Sequence, residues 1–255
     1  MIFITGDCHS DFRRFDRKIF TEQNEMSKTD YVIIAGDFGG VWSGEKSADL
    51  RRENAELDRL NARPFTTLFI DGNHENFDRL NAFPAEQWHG GMVHRIRPSV
   101  LHLMRGETYM INGKRFFCFG GASSHDIDDG ILDPEKDRNW KRTSKQMDRM
   151  GKIRHRVLGV SWWPQELPDQ TEMQRGIRSM EKADWETDFI VTHEAPASLL
   201  PLLGLPSVRR NTLTEYLETI RQKSRYSRWI FGHYHMNRQI TDRDIVIYEQ
   251  IIRIS

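Results

Sequence analysis

Cysteine is scarce in this chain. Only Cys8 and Cys118 occur among 255 residues, so no disulfide framework is available to staple a small secreted fold. Net charge is missing as well: Lys plus Arg and Asp plus Glu both total 37, which removes any overall field steering the molecule toward nucleic acid or membrane. That balance still permits a local basic groove, and Arg and Lys are dense between Lys136 and Arg156. No apolar run is long enough to span a bilayer. No charged n-region, apolar core and cleavage site precede the first strand, which begins at Ile2. Internal repeats and low-complexity tracts are also absent. These absences predict a soluble, unprocessed protein of a reducing cytoplasm, folded as one domain over 1–255 with no membrane partner.

What the chain does contain is a series of short apolar runs, each leading to Asp, Asn or His. Ile2–Thr5 precede Gly6-Asp7-Cys8-His9, Tyr31–Ala35 precede Gly36-Asp37, and Thr67–Ile70 precede Gly72-Asn73-His74-Glu75. Phe189–Thr192 precede His193, and Trp229–Phe231 precede Gly232-His233-Tyr234-His235. A strand followed each time by a polar residue places these side chains along one sheet edge. Singly, each polar residue reads equally well as a turn or helix-capping residue, and His193 is the softest of them; the order and the adjacent glycines give the set its weight.

The first part of the chain alternates strand and helix. Ser10 or Asp11 can cap a helix in which Phe12, Phe15, Ile19 and Phe20 recur at helical spacing. Ala48–Asn61, with Leu50, Leu57 and Leu60, suits an amphipathic helix, and Asn76–Leu80 opens a short one. This βαβαβ beginning predicts parallel strands in one sheet. From Val100 the pattern changes to short strands at Val100–Leu103, Thr108–Ile111 and Arg115–Phe119, with Asn112-Gly113 as a two-residue hairpin turn, predicting a second sheet with antiparallel pairing. Residues 123–168 read as a polar, irregular excursion from the core. Helices at Thr171–Lys182 and Leu213–Lys223 follow, with closing strands at Ile240, Ile245–Tyr248 and Ile251–Ile254.

The ordered set D-x-H, GD, GNH(E/D), H, GHxH, running from residue 6 to residue 235, resembles the calcineurin-like metallophosphoesterase superfamily. The resemblance implies a four-layer αββα sandwich with two mixed sheets. It also implies a dinuclear phosphohydrolase, with Asp7, His9 and His235 on one ion, Asn73, His193 and His233 on the other, and Asp37 bridging. Two divalent ions about 3.5–4 Å apart would acidify a shared water from about 15.7 toward about 7, giving a metal-bridging hydroxide to attack phosphorus. The mixed oxygen and nitrogen donors favour Mn, Fe, Zn or Co over calcium. His74, beside Asn73, becomes the catalytic candidate that contacts the phosphoryl oxygen and protonates the leaving group.

The departures narrow the family. Protein Ser/Thr phosphatases of this superfamily extend the second motif to GDxVDRG, whereas this chain reads Gly36-Asp37-Phe38-Gly39-Gly40-Val41-Trp42. Neither the second Asp nor the Arg is present, so that branch is disfavoured and a phosphate-gripping cation must come from elsewhere. Gly120-Gly121-Ala122-Ser123-Ser124-His125-Asp126 and Trp162-Trp163-Pro164-Gln165-Glu166 are similar to segments of small bacterial or phage metallophosphoesterases.

Other residues divide between plain and functional readings. His125 and Asp126 are candidate substrate contacts, although loop His and Asp are ordinarily solvated, as His155 is expected to be. Trp42, Trp140, Trp162 and Trp163 read first as packing and second as a stacking wall for a base or aromatic ester. Cys8 reads as a small buried hydrophobe and Glu194 as structural. The basic tract Arg138–Arg156 reads first as a solvated helix face. The substrate expected is a phosphodiester or phosphomonoester, with a small nucleotide favoured. The alternatives are a nuclease or nucleic-acid end-processing phosphatase and a non-catalytic protein-binding scaffold.

Overall fold

In the computed structural model, which describes residues 1–44, 47–205 and 209–255, every apolar run ahead of a polar motif is a strand. In chain order the first half comprises β1 (Ile2–Thr5), β2 (Tyr31–Ala35), α1 (Leu50–Asn61), β3 (Thr66–Ile70), α2 (Phe77–Leu80), β4 (Ala85–Trp88), β5 (Gly91–Arg97), β6 (Val100–Leu103), β7 (Glu107–Ile111) and β8 (Lys114–Phe119). The second half comprises β9 (Gly130–Leu132), α3 (Trp140–Arg149), β10 (His155–Val157), α4 (Gln170–Lys182), β11 (Glu186–Thr192), α5 (Leu200–Leu203), α6 (Thr212–Lys223), β12 (Arg225–Phe231), β13 (Arg238–Gln239), β14 (Asp244–Val246) and β15 (Ile252–Arg253). Seven strands form one sheet in the order β15-β1-β2-β3-β6-β5-β4, and six form another in the order β13-β14-β12-β11-β8-β7. β9 and β10 pair with each other in parallel.

Period-two patterning decides the layers. Ile2, Ile4, Ile33, Leu68 and Ile70 of the first sheet share one buried cluster with Phe116, Cys118, Phe189, Val191 and Ile230 of the second. Their sequence neighbours point outward. Phe3, Val32, Ile34 and Phe69 pack with Leu57 and Leu60 of α1, while Phe117, Phe119, Ile190, Trp229 and Phe231 pack with Met180 of α4 and Leu213, Leu217 and Ile220 of α6. The result is the four-layer αββα sandwich with two mixed sheets. A one-residue register slip in any of these strands would exchange its inner and outer sets, so the alternation specifies the pairing.

Two expectations are corrected, and one hairpin appears that the sequence did not signal. The helix over Phe12–Phe20 is replaced by 3-10 turns at Arg13–Phe15 and Thr21–Glu25. The Asp11 carboxylate accepts from the Arg13 backbone N–H and guanidinium, and the buried Gln23 amide donates to the carbonyls of Phe15 and Phe20 at 2.9 and 2.7 Å, satisfying groups that a continuous helix would have used. Second, Val100–Leu103 joins the first sheet, and the centre of the second sheet is parallel: β8, β11, β12 and β14 run the same way, with antiparallel pairs only at its edges. The β4–β5 hairpin is not foreseen, because its turn is His89-Gly90, with φ of 48° and 97°, rather than an Asn-Gly or Asp-Gly signal. The 123–168 excursion carries α3 and the β9–β10 pair.

A buried ion pair ties β3 to the rest. Arg105, 4% exposed, donates to Asp71 Oδ2 at 2.8 and 2.5 Å and to Glu172 at 3.1 Å, and His102 Nε2 approaches Asp71 Oδ1 at 3.1 Å. Burial alone would raise the Asp71 carboxyl, but Arg105 and His102 hold it well below the usual carboxylate range. A depressed carboxyl stabilises the fold fully above its unfolded value near about 4, and that contribution fades as pH falls further toward the folded value. Arg105→Ala should therefore cost about 3–5 kcal/mol near neutral pH by leaving Asp71 buried and uncompensated. The cost should shrink as pH falls, because the parent then loses the Asp71 contribution while the variant sheds its uncompensated charge by protonating Asp71; thermal melts of both proteins from pH 7 to pH 3 test this, and a difference that does not narrow in acid would count against the assignment.

Candidate active site

β1, β2 and β3 end side by side in the first sheet, as β11 and β12 do in the second. Asp7 and His9 follow β1, Asp37 follows β2, Asn73 and His74 follow β3, His193 follows β11, and His233 and His235 follow β12. Ligating atoms of Asp7, His9 and His235 lie within 4.8 Å of one another, as do those of Asp7, Asp37 and His193. His235 Nε2 is 3.1 Å from Asp7 Oδ2 and 3.2 Å from His9 Nε2. Asp37 stands between the groups, with Oδ1 3.3 Å from His193 Nε2 and Oδ2 3.7 Å from His9 Nε2. The His193 and His233 ring centres are 5.0 Å apart. Asp37, Asn73, His74, His125, Asp126, His233 and His235 line one cleft of about 260 Å³.

The backbone is bent to achieve this. His9, Asp37, His233 and His235 all adopt left-handed conformations, with φ of 46°, 45°, 70° and 48°, a state that non-glycine residues occupy rarely and mostly where surrounding structure enforces it. Space at the neighbouring glycines is equally tight. A Cβ on Gly36 would fall 2.0 Å from His193 Nδ1, and one on Gly72 would fall 2.0 Å from Asp37 Oδ1. The glycines beside the motifs therefore serve close approach as well as turning.

A model of the calcineurin-like phosphoesterase family matches residues 1–237 of the chain. The chain belongs to the calcineurin-like phosphoesterase family. No curated protein sequence matches it. As a calcineurin-like phosphoesterase it is a metal-dependent phosphoester hydrolase acting on phosphate esters, which sets the scaffold reading aside. Among the described residues, no helix is long and apolar enough to cross a membrane.

The phosphoesterase's own atoms fit the metal that its family requires. Asn73 Oδ1, His193 Nε2 and His233 Nε2 are buried with no hydrogen-bond partner among the described residues, a costly condition that a cation would relieve. Asp7 and Asp37 are each 1% exposed, two carboxylates within one site. Burial would raise Asp37, yet His193, His74 and His9 hold it well below the usual carboxylate range. Burial would likewise lower His193, but Asp37 and Asp7 push it up to about 10. The two carboxylates thus make the pocket one that favours positive charge, as a metal site requires. His193 Nδ1 donates to Ala35 O at 2.8 Å, which leaves Nε2 as the free lone pair for a metal.

His74 is half-buried on the cleft wall, its backbone N–H donating to Asp37 Oδ1 at 2.8 Å and its ring 5.3 Å from that of His9. The His125 ring lies 4.5 Å from that of His233 at a tilt of 35°, and Asp126 on the same cleft wall is paired with Arg156. His155 is elsewhere, held by Ser144 and the Lys152 carbonyl. Of the tryptophans, Trp163 packs, 3% exposed, with its indole donating to Asp78 and its ring edge-on to Trp42. Cys8 is buried and its thiol is pushed up to about 12 by burial, so it is no thiolate at neutral pH. Glu194 accepts from the Tyr234 hydroxyl and the Ala195 N–H, a structural role.

Several participants carry no sequence signal. Arg14 donates to the carbonyl of Asp7 at 2.6 Å and to that of Tyr248 at 2.7 Å, clamping the first loop. The Tyr248 ring stacks on His235 at 4.5 Å and 16°. Glu75 accepts from the N–H groups of Phe38 and Gly39, joining the second and third motif loops. Its place in the third motif was the one hint. Arg14 and Tyr248 are neighbours only in space.

Proposed function

We propose that this phosphoesterase is dinuclear, with Asp7, His9 and His235 holding one divalent ion, Asn73, His193 and His233 the other, and Asp37 shared. The observation that carries the reading is the set of buried, unpartnered donor atoms on Asn73, His193 and His233 beside two buried carboxylates. Its mixed donors suit Mn, Fe, Zn or Co. When bound, such ions supply Lewis acidity, lowering the pKa of water and drawing negative charge from the phosphoryl oxygens. The chain's own groups do the rest. Stacking on Tyr248 and the left-handed backbone aim His235, the Ala35 carbonyl fixes the His193 tautomer, and His74 on the open wall holds a proton for the leaving oxygen.

The size of the cleft supports a compact phosphodiester or phosphomonoester, such as a small nucleotide. One feature favours nucleic acid as a second reading. Arg142, Lys145 and Arg149 are exposed on one face of α3 with no acidic partner among the described residues. α3 reaches the cleft through Ser144 to His155, and from the adjoining Arg156 to Asp126.

Protein stripped of metal and reloaded with Mn, Fe, Zn or Co should hydrolyse bis-p-nitrophenyl phosphate or p-nitrophenyl phosphate only when reloaded. Silence toward both esters with two ions demonstrably bound would overturn the proposed small-ester substrate. An oligonucleotide that inhibits with a steep salt dependence, lost on reversing the charges of Lys145 and Arg149, would move the assignment to the nucleic-acid reading.

A further inference from the structure

An asparagine amide has two unlike ends, an oxygen that can ligate a metal and an NH2 that cannot. Asn73 is 5% exposed, and its Nδ2 donates to Ser124 Oγ at 3.3 Å while Oδ1 has no partner among the described residues. Ser124 has a buried partner of its own. Its hydroxyl donates to Glu166 Oε2 at 2.5 Å and its backbone N–H donates to Glu166 Oε1 at 3.0 Å. Burial raises the Glu166 carboxyl, and the two hydrogen bonds from Ser124 counter that by favouring its ionised form; a carboxylate only accepts, so the single Ser124 hydroxyl hydrogen is committed to Glu166 and only lone pairs face Asn73. The amide must then turn NH2 toward Ser124 and oxygen away from it.

Glu166 is itself held. It ends the 3-10 turn Pro164–Glu166 and is 3% exposed, and Arg105 Nη2 donates to the Gln165 and Glu166 carbonyls at 2.8 and 3.4 Å. Arg105 is bound in turn to Asp71, two residues before Asn73, and the Asp71 carbonyl accepts from Gly121 N–H, three residues before Ser124. The ring Asp71, Arg105, Glu166, Ser124, Asn73 therefore closes on the loop where it began, and it joins the Gly120–Asp126 and Trp162–Glu166 segments at one point.

We propose that Ser124 and Glu166 are positioning residues that, through a fixed hydrogen-bond polarity, present the Asn73 oxygen rather than its nitrogen to the metal site; this rests on the dinuclear reading above. Ligand-orienting partners of this kind alter metal affinity by about 10–100-fold when replaced. Polarity, not bulk, is the distinguishing property. Glu166→Gln keeps size and shape but replaces an acceptor with an NH2 that donates to Ser124 Oγ, freeing the hydroxyl hydrogen to turn toward Asn73 Oδ1.

The full-length protein, stripped of metal, would be titrated with Zn²⁺ against a chromogenic chelator, with melting of the metal-free form measured alongside. The parent should take two equivalents. Ser124→Ala and Glu166→Gln should each weaken one equivalent by about 10–100-fold while the other binds as in the parent, and Ser124→Thr, which retains the hydroxyl, should restore it. Asn73→Ala is the reference and should lose the same equivalent. Parent-like binding of both equivalents in Ser124→Ala and Glu166→Gln, or equal loss of both equivalents with a lowered metal-free melting point, would overturn the proposal. A parent that takes up fewer than two equivalents would sink the dinuclear reading itself and the proposal with it.

Discussion

Asp37→Asn is expected to lower kcat/KM toward bis-p-nitrophenyl phosphate by about 10³-fold or more, equivalent to about 4 kcal/mol of transition-state stabilisation. Its carboxylate lies between His193 Nε2 at 3.3 Å and His9 Nε2 at 3.7 Å, so on the dinuclear reading both ions share it. Exchanging it for an amide removes a unit of negative charge from a pocket built around two buried carboxylates. One oxygen is also replaced by an NH2 that repels cations. Both metal positions should weaken together, visible as loss of bound metal by elemental analysis. Parent-like metal content and turnover in this variant would contradict the shared role.

His74→Ala is expected to separate binding from chemistry. Its side chain lies on the cleft wall, and its tie to Asp37 runs through the backbone N–H, which alanine retains. Metal content should therefore hold while turnover falls by about 10²–10⁴-fold, the usual contribution of a positioned general acid. The loss should be larger for an alkyl phosphate than for a nitrophenyl ester, because nitrophenolate leaves readily without a proton. Metal loss equal to that of Asp37→Asn, or a penalty independent of leaving group, would contradict the role given to His74.

Much of the molecule was legible before folding because strand alternation is a local property. Ile2, Ile4, Ile33 and Leu68 facing one way and Phe3, Val32 and Ile34 the other are read directly from residue order, and the layers follow. The segment Phe12–Phe20 misled for the same reason. Helical spacing buried its phenylalanines as expected, yet Ile19 stands 64% exposed and the backbone is turned by Asp11 and Gln23, whose hydrogen bonds no periodicity encodes. The parallel pairing of β8 with β11 was hidden because the Asn112-Gly113 turn advertises only the hairpin partner, whereas the other edge is filled from a distant segment.

The candidate site divides in the same way. Residue order alone named the polar residues that end the strands, their glycines and, through resemblance, the family, since each motif is a few adjacent residues whose chemistry is visible in the alphabet. Tertiary structure alone decided which of them share a cleft, that Arg14 and Tyr248 grip the first and last loops, and that Glu166 meets Ser124 and so turns Asn73. The physical reason is range. Turn formation and alternation act between neighbours in the chain, whereas hydrogen-bond polarity and the pairing of buried charges depend on partners that only the closed, packed sandwich brings within reach.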